Sequence, residues 1–184
     1  MIIGLTGSFG AGKGTVVEYL VATKGFKHYS TSNVIRDEII ARGMPLERDS
    51  YIVVGNDLRA QFGPAHLVDV CYVKAQAEGG DAIIESLRAV AEARRIKELG
   101  GVVVGIDADP KVRYEHIVHR GGEKDHVSYE QWIEQERKET NPDDPTKQDI
   151  FGALKESEIV IHNNGTKDEL LAQVEEALRK FIAV

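Results

Sequence analysis

The chain has 184 residues, of which 42% are hydrophobic and 29% charged, with a formal net charge of −7. That length suits one compact domain, and an ordinary hydrophobic fraction excludes a disordered chain. The acidic balance argues against broad binding to a nucleic-acid backbone, which needs clustered Lys and Arg, but leaves room for a small anion held by a few placed arginines.

Taken in chain order, short apolar runs alternate with longer periodic segments. Residues 2–6 are expected as a buried strand. Residues 1–8 have neither the basic start nor the long apolar run of a secretory leader. A helix is expected over 12–22, a short strand over 27–30, and a helix over 31–42 with Ser30, Thr31 or Ser32 as its N-cap. Gly43 and Pro45 break it. Helices follow at 50–62 and 65–78, separated by Gly63 and Pro64. Cys71, the sole cysteine, permits no intrachain disulfide and reads as a packed core thiol. A strand at 82–84 and a helix at 89–99 come next, then a β-branched strand at 102–106 and a helix at 110–119 with Pro at its first turn. Residues 121–127 form a polar loop. The helix expected at 128–140 opens on Ser128 and Gln131, the spacing of a capping box. After turns at 141–146 the spacing predicts a helix over 147–156, a strand over 158–161 and a last helix over 167–181. No run approaches the roughly 20 apolar residues that span a bilayer, so a cytoplasmic protein without membrane or nucleic-acid partners is expected.

Five strands, most of them apolar, alternating with helices imply an α/β fold, a parallel sheet covered on both faces in three layers. Ligands on such sheets bind at the carboxyl ends of the strands. The run Gly7, Ser8, Phe9, Gly10, Ala11, Gly12, Lys13, Gly14, Thr15 lies there, between a strand and a helix. That is the context of a phosphate-binding P-loop. Its glycines let backbone N–H groups converge on phosphate oxygens, the helix start adds partial positive charge, and Lys13 reaches the β- and γ-phosphates. The usual Ser or Thr directly after the lysine is here Gly14, followed by Thr15. Magnesium is therefore expected to be held largely through phosphates and water.

The Lys13-Gly14-Thr15 variant resembles the nucleoside monophosphate kinases of the P-loop NTPase fold. The stretch from Ser30 and Thr31 to Arg36 is similar to the adenylate kinase segment that meets the acceptor nucleotide. The resemblance implies that Thr31 lies near the acceptor base and Arg36 binds its phosphate; a capped surface helix with a solvated arginine is the plainer alternative. Glu85, Ser86 and Arg88 resemble the Asp-Gly element of related kinases, with Glu for Asp and Ser for Gly. By this resemblance Glu85 would stand near Mg2+ and Arg88 would contact the acceptor phosphate or the phosphate in transfer. The final turn, from Asn163 and Asn164 to Gly165 and Thr166, is similar to that of dephospho-coenzyme A kinases, where Asn164 and Gly165 would pack along the donor's adenine. A plain strand-to-helix turn serves as well.

A lid at about 120–140 would bring arginines over the triphosphate, with Arg120 the first choice, Arg137 the second and Arg113 the third. The acceptor region would be a helical insertion at about 31–80, of which 43–80 match no motif. Asp107 reads equally as a helix cap or an outer-sphere magnesium group. His116 and His119 lack a third metal ligand and read as a surface pair. The resemblance implies an ATP- and Mg2+-dependent kinase of nucleoside or deoxynucleoside monophosphates. The alternatives are a dephospho-coenzyme A kinase and a nucleotide-sensing ATPase switch.

Overall fold

The alternating apolar runs form the expected sheet. The structure, a computed structural model, describes residues 1–120 and 128–182, with only the backbone of Arg120 and Ile182. In chain order it runs β1 (Ile2–Gly7), α1 (Lys13–Lys24), β2 (Lys27–Ser30), α2 (Thr31–Ala41), α3 (Arg48–Phe62), α4 (His66–Glu78) and β3 (Ala82–Leu87). It continues through α5 (Val90–Glu98), β4 (Val102–Asp107), α6 (Pro110–Arg120), α7 (Tyr129–Lys138), α8 (Ile150–Lys155), β5 (Ile159–His162) and α9 (Lys167–Ile182).

The strands are all parallel, in the order β2-β3-β1-β4-β5. Their side chains alternate between two cores, as the period of two requires. Ile3, Leu5, Ile83, Val104 and Ile106 pack with Val16, Leu20, Leu170 and Val174 of α1 and α9. Ile84 and Val103 face the other way, against Val68, Cys71, Ile96 and Ala153 of α4, α5 and α8. A third cluster, Ile35, Ile39, Val54, Leu58 and Leu67, ties α2, α3 and α4 together at one end. No described helix is long and apolar enough to cross a membrane.

Several expected elements shift at their ends, and two of these changes bear on the site. The strand expected at 82–84 runs on to Leu87, because Glu85, though polar, still pairs with both neighbours, opposite Leu5 and Ser30, and Leu87 pairs with Thr6. The register slips there, and Ser86 adopts φ 66. The helix expected at 147–156 begins only at Ile150. The Asp149 carboxylate caps it by accepting Gly152 N–H at 3.0 Å, while Asp149 N–H donates to the Arg88 carbonyl at 2.8 Å and Asp149 bridges to Thr140, which holds it outside the helix. The capping box is present as expected: Ser128 Oγ accepts Gln131 N–H, and the Gln131 side chain accepts Ser128 N–H. The lid loop expected at 121–127 lies outside the described residues.

Candidate functional site

The phosphate loop curls tightly between β1 and α1. Gly7 (φ 143) and Gly12 (φ 97) both sit where L side chains are strained, and a Cβ would collide with the Ile106 carbonyl oxygen at the first and Asn163 Nδ2 at the second. The curl leaves the N–H groups of Gly12, Lys13 and Gly14 without a backbone partner among the described residues. Orphan donors at the start of a helix are a ready anion site.

Lys13 Nζ donates to the carbonyls of Gly7 at 2.7 Å and Ser8 at 2.9 Å, so the loop closes around its own ammonium. Burial first, and then the nearby Arg88 guanidinium, lower the Lys13 pKa to about 7. A polyphosphate in the loop supplies the opposite charge and raises it again.

Three side chains brace the loop from outside. Ser8 Oγ donates to Asp107 Oδ1 at 2.6 Å, Asn163 Nδ2 donates to the Ala11 carbonyl at 3.0 Å, and His116 Nδ1–H donates to the Gly10 carbonyl at 2.9 Å. Asp107, at the end of β4, thus turns its carboxylate to the loop. His119 Nδ1 lies 2.8 Å from its own helix's Glu115 carbonyl, so the Nδ1 of each histidine faces a backbone carbonyl.

At the end of β3, Glu85 accepts Ser86 Oγ at 2.6 Å and lies 3.5 Å from His28 Nε2. Burial pushes its carboxyl up, but hydrogen bonds from His28, Ser30 and Ser86 outweigh burial and hold it at about 2. Glu85 is therefore ionised at neutral pH, and with Thr15 it lines the cavity over the loop. Among the described residues no three His, Cys, Asp or Glu side chains are grouped to cage a metal. A carboxylate and a hydroxyl beside a phosphate site nevertheless fit Mg2+, which takes one or two protein oxygens and fills the rest with phosphate and water.

Two cavities meet at this edge of the sheet. The first, about 580 Å³, is lined by the loop with Glu85, Asn163 and Gly165. The second, about 510 Å³, lies on the α2 and α3 side and is lined by Ser32, Arg48, Tyr51 and Gln148 among others. Phe9 and Arg88 line both. Arg88 Nη1 is 2.9 Å from Glu139 Oε2, and the other oxygen of Glu139 lies 2.7 Å from Arg48 Nε and 2.6 Å from its Nη2. Arg48 also donates to Gln135 Oε1 at 2.8 Å and stacks over the Phe9 ring, 4.8 Å from its centroid.

The structure brings together the phosphate loop, Glu85, Arg88 and Gly165. It places other expected residues elsewhere. The Thr31 hydroxyl is buried and donates to the Ser86 carbonyl at 2.8 Å. Arg36 is 48% exposed, its guanidinium 3.5 Å from Asp37, and it lines neither cavity. Arg137 is 76% exposed, 3.5 Å from Glu134. Asn164 accepts Asp109 N–H at 2.7 Å, while Asn163 faces the loop. Arg113 is buried against Glu136 and over the Trp132 ring, and it donates to the Ala108 carbonyl. The Arg120 side chain lies outside the described residues. Sequence reasoning missed Arg48, Glu139 and Gln148. Arg48 lies in the stretch that matched no motif, and Glu139 and Gln148 showed only polarity, which a solvated surface shows as well.

A family model described as an AAA domain matches residues 3–141. A UPF0200 protein of Thermococcus kodakarensis is 25% identical over 190 residues, spanning 100% of this chain and 99% of that protein. Among solved structures, TT1252 from Thermus thermophilus superposes with a TM-score of 0.63 at 16% identity, covering 98% of this chain and 97% of the other. A shikimate kinase from Acinetobacter baumannii in complex with shikimate gives 0.57 at 17% identity, covering 99% and 93%. These likenesses carry the fold, a five-stranded parallel sheet of the P-loop kinase kind.

Proposed function

Since the chain belongs to the AAA domain family and has a P-loop kinase-like fold, we propose that it is an ATP- and Mg2+-dependent phosphotransferase acting on a small phosphorylated acceptor, a nucleoside or deoxynucleoside monophosphate. The observation that carries this is the position of Arg88, which lines both the phosphate-loop cavity and the cavity beside it. An arginine at the junction of two binding spaces suits transfer between two bound molecules, whereas a hydrolytic switch needs only one.

The donor's phosphates would lie on the N–H groups of the loop and the start of α1, with Lys13 following negative charge onto the β–γ bridging oxygen as that bond breaks. Arg88 would neutralise the group in flight. An oxygen of the acceptor phosphate attacks the γ-phosphorus, and ADP leaves. A phosphate oxygen is already ionised at neutral pH and needs no general base. Glu85, held at about 2, could not serve as one; it and Thr15 would hold Mg2+ instead. The ion, when bound, supplies charge neutralisation across the β- and γ-phosphates. A dephospho-coenzyme A kinase must deprotonate a ribose hydroxyl, and Thr31, Ser32 and Asn33 stand where that family's usual aspartate would be expected.

The test is a coupled ADP-release assay with ATP and Mg2+ against ribo- and deoxyribonucleoside monophosphates, with dephospho-coenzyme A and shikimate alongside. Stimulation by a nucleoside monophosphate is expected. Slow turnover unchanged by every acceptor would favour a switch.

A further inference from the structure

We infer that the second cavity is a nucleotide-acceptor pocket in which Arg48 joins Arg88 in binding the acceptor's phosphate and the side-chain amide oxygen of Gln148 accepts a hydrogen bond from an amino group on its base. This rests on the phosphotransfer reading and adds the residues that choose the acceptor.

The cavity is chemically graded. At one end Arg48 and Arg88 converge on Glu139, which is 2% exposed. Two guanidinium groups share one carboxylate, so this cluster keeps one formal positive charge after its internal pairing, while Glu47 and Asp49 line the same cavity. Glu139 grips one edge of each guanidinium and fixes both, while each arginine presents five N–H donors in all. Arg48 is further held by its stack on Phe9 of the phosphate loop, which sets it beside the donor site. An anion bound there would be close to a triphosphate on the loop.

Away from the arginines the wall turns apolar, with Ile35, Tyr51 and Ile52 lining the same space. Flat apolar and aromatic surfaces suit a heterocyclic base, and about 510 Å³ lies within the usual size of a small-molecule site. Gln148 lines this cavity and is 3% exposed, and its Oε1 is buried with no hydrogen-bond partner among the described residues. Buried acceptors are rarely left unpaired in a folded protein. A turn of the side-chain amide toward the cavity would let a bound group with an N–H to give, such as a base amino group, complete this one.

Gln148 is fixed from behind. Its own carbonyl accepts Asn141 N–H at 3.0 Å, and the next residue, Asp149, donates to the Arg88 carbonyl at 2.8 Å. The residue that would read the base and the residue that would bind the phosphate are thus joined through one backbone hydrogen bond.

The experiment compares kcat/KM for AMP against IMP and for CMP against UMP, pairs that differ by an amino group for a carbonyl. Wild-type protein should favour the amino member of at least one pair by about tenfold, the worth of one net hydrogen bond at its upper range. Gln148→Leu should bring that ratio within about threefold, the residue left by one lost hydrogen bond. Gln148→Glu, which keeps acceptor oxygens, should retain it. Arg48→Ala should raise KM for both members about equally and leave their ratio alone. Arg48→Lys, which retains a charge for Glu139, carries the same expectation if the alanine variant does not fold. A wild-type preference that survives in Gln148→Leu, the absence of any preference, or an unchanged KM in the folded Arg48 variant would overturn the inference while leaving phosphotransfer standing. No turnover of any of the four by wild-type protein would remove the nucleotide-kinase reading and the inference together.

Discussion

Arg59 Nε lies 2.8 Å from Glu92 Oε1, and neither side chain is exposed to solvent. The other oxygen of Glu92 accepts the backbone N–H of Arg88 at 2.7 Å and that of Ala89 at 3.2 Å. A buried ion pair between α3 and α5 therefore sets the turn that carries Arg88. Through α3 it also fixes the helix on which Arg48 stands.

Breaking this pair from one side leaves a buried carboxylate without its countercharge. Arg59→Met should lower stability by about 3–5 kcal/mol, measured by urea denaturation. Adding Glu92→Gln should cost less than the two single changes summed, because the second change removes the stranded charge. A single-variant cost below about 1 kcal/mol would show that the pair is not a structural tie.

In the proposed function donor binding turns on Lys13. Lys13→Ala should lower phosphate transfer by about a hundred- to a thousandfold, the scale seen when one preorganised charge donor is lost. A variant that keeps full turnover would remove Lys13 from the donor site.

The pH dependence of nucleotide binding follows from the same group. Burial and Arg88 lower the Lys13 pKa from 10.5 to about 7 in the free protein. A bound diphosphate raises it, so near pH 8 the free lysine is mostly neutral and the bound one charged. Binding of ADP without divalent metal should therefore take up close to one proton at pH 8 and less below pH 6. Calorimetry in buffers of different ionisation enthalpy reads this directly, and proton release at pH 8 would contradict it.

Glu85 is expected to act through Mg2+. Chelation of divalent metal should abolish transfer, and Glu85→Gln should raise the half-saturating Mg2+ concentration by about tenfold. Because the carboxyl is held at about 2, no limb of the pH–rate profile between pH 5 and pH 8 should belong to it. A variant with unchanged metal dependence would leave the loop and the phosphates as the whole metal site.

Gly7→Ala meets both strain and collision, since φ is 143 and the added carbon runs into the Ile106 carbonyl oxygen. It should cost about 1–3 kcal/mol or more and remove nucleotide binding, seen as a melting temperature that no longer rises with ADP. Gly14→Ala, with open space around it, should fold as the wild-type chain does.

The layered sheet and the phosphate loop could be read from local sequence alone. β-Branched strands, breakers at Gly43 and Gly63-Pro64, the capping box at Ser128 and the glycine–lysine loop are local signals, set by residues within a few positions of one another. The full length of β3 was not legible, because Glu85 and Ser86 look like a strand's end in isolation, and pairing with β1 beyond the register slip carries the strand to Leu87. Of the charged residues around the second cavity, the sequence singled out only Arg88. Thr31 and Arg36 lie on the expected helix, but the packing of Ile35 and Ile39 into the α2, α3 and α4 cluster leaves Arg36 toward solvent. Which arginine faces the second cavity was decided by tertiary contact. Arg48 reaches across 91 positions of sequence to Glu139, and Arg88 across 51. A long-range electrostatic cluster of this kind leaves no periodicity and no spacing in the chain, because only the folded sheet brings its members within hydrogen-bonding distance.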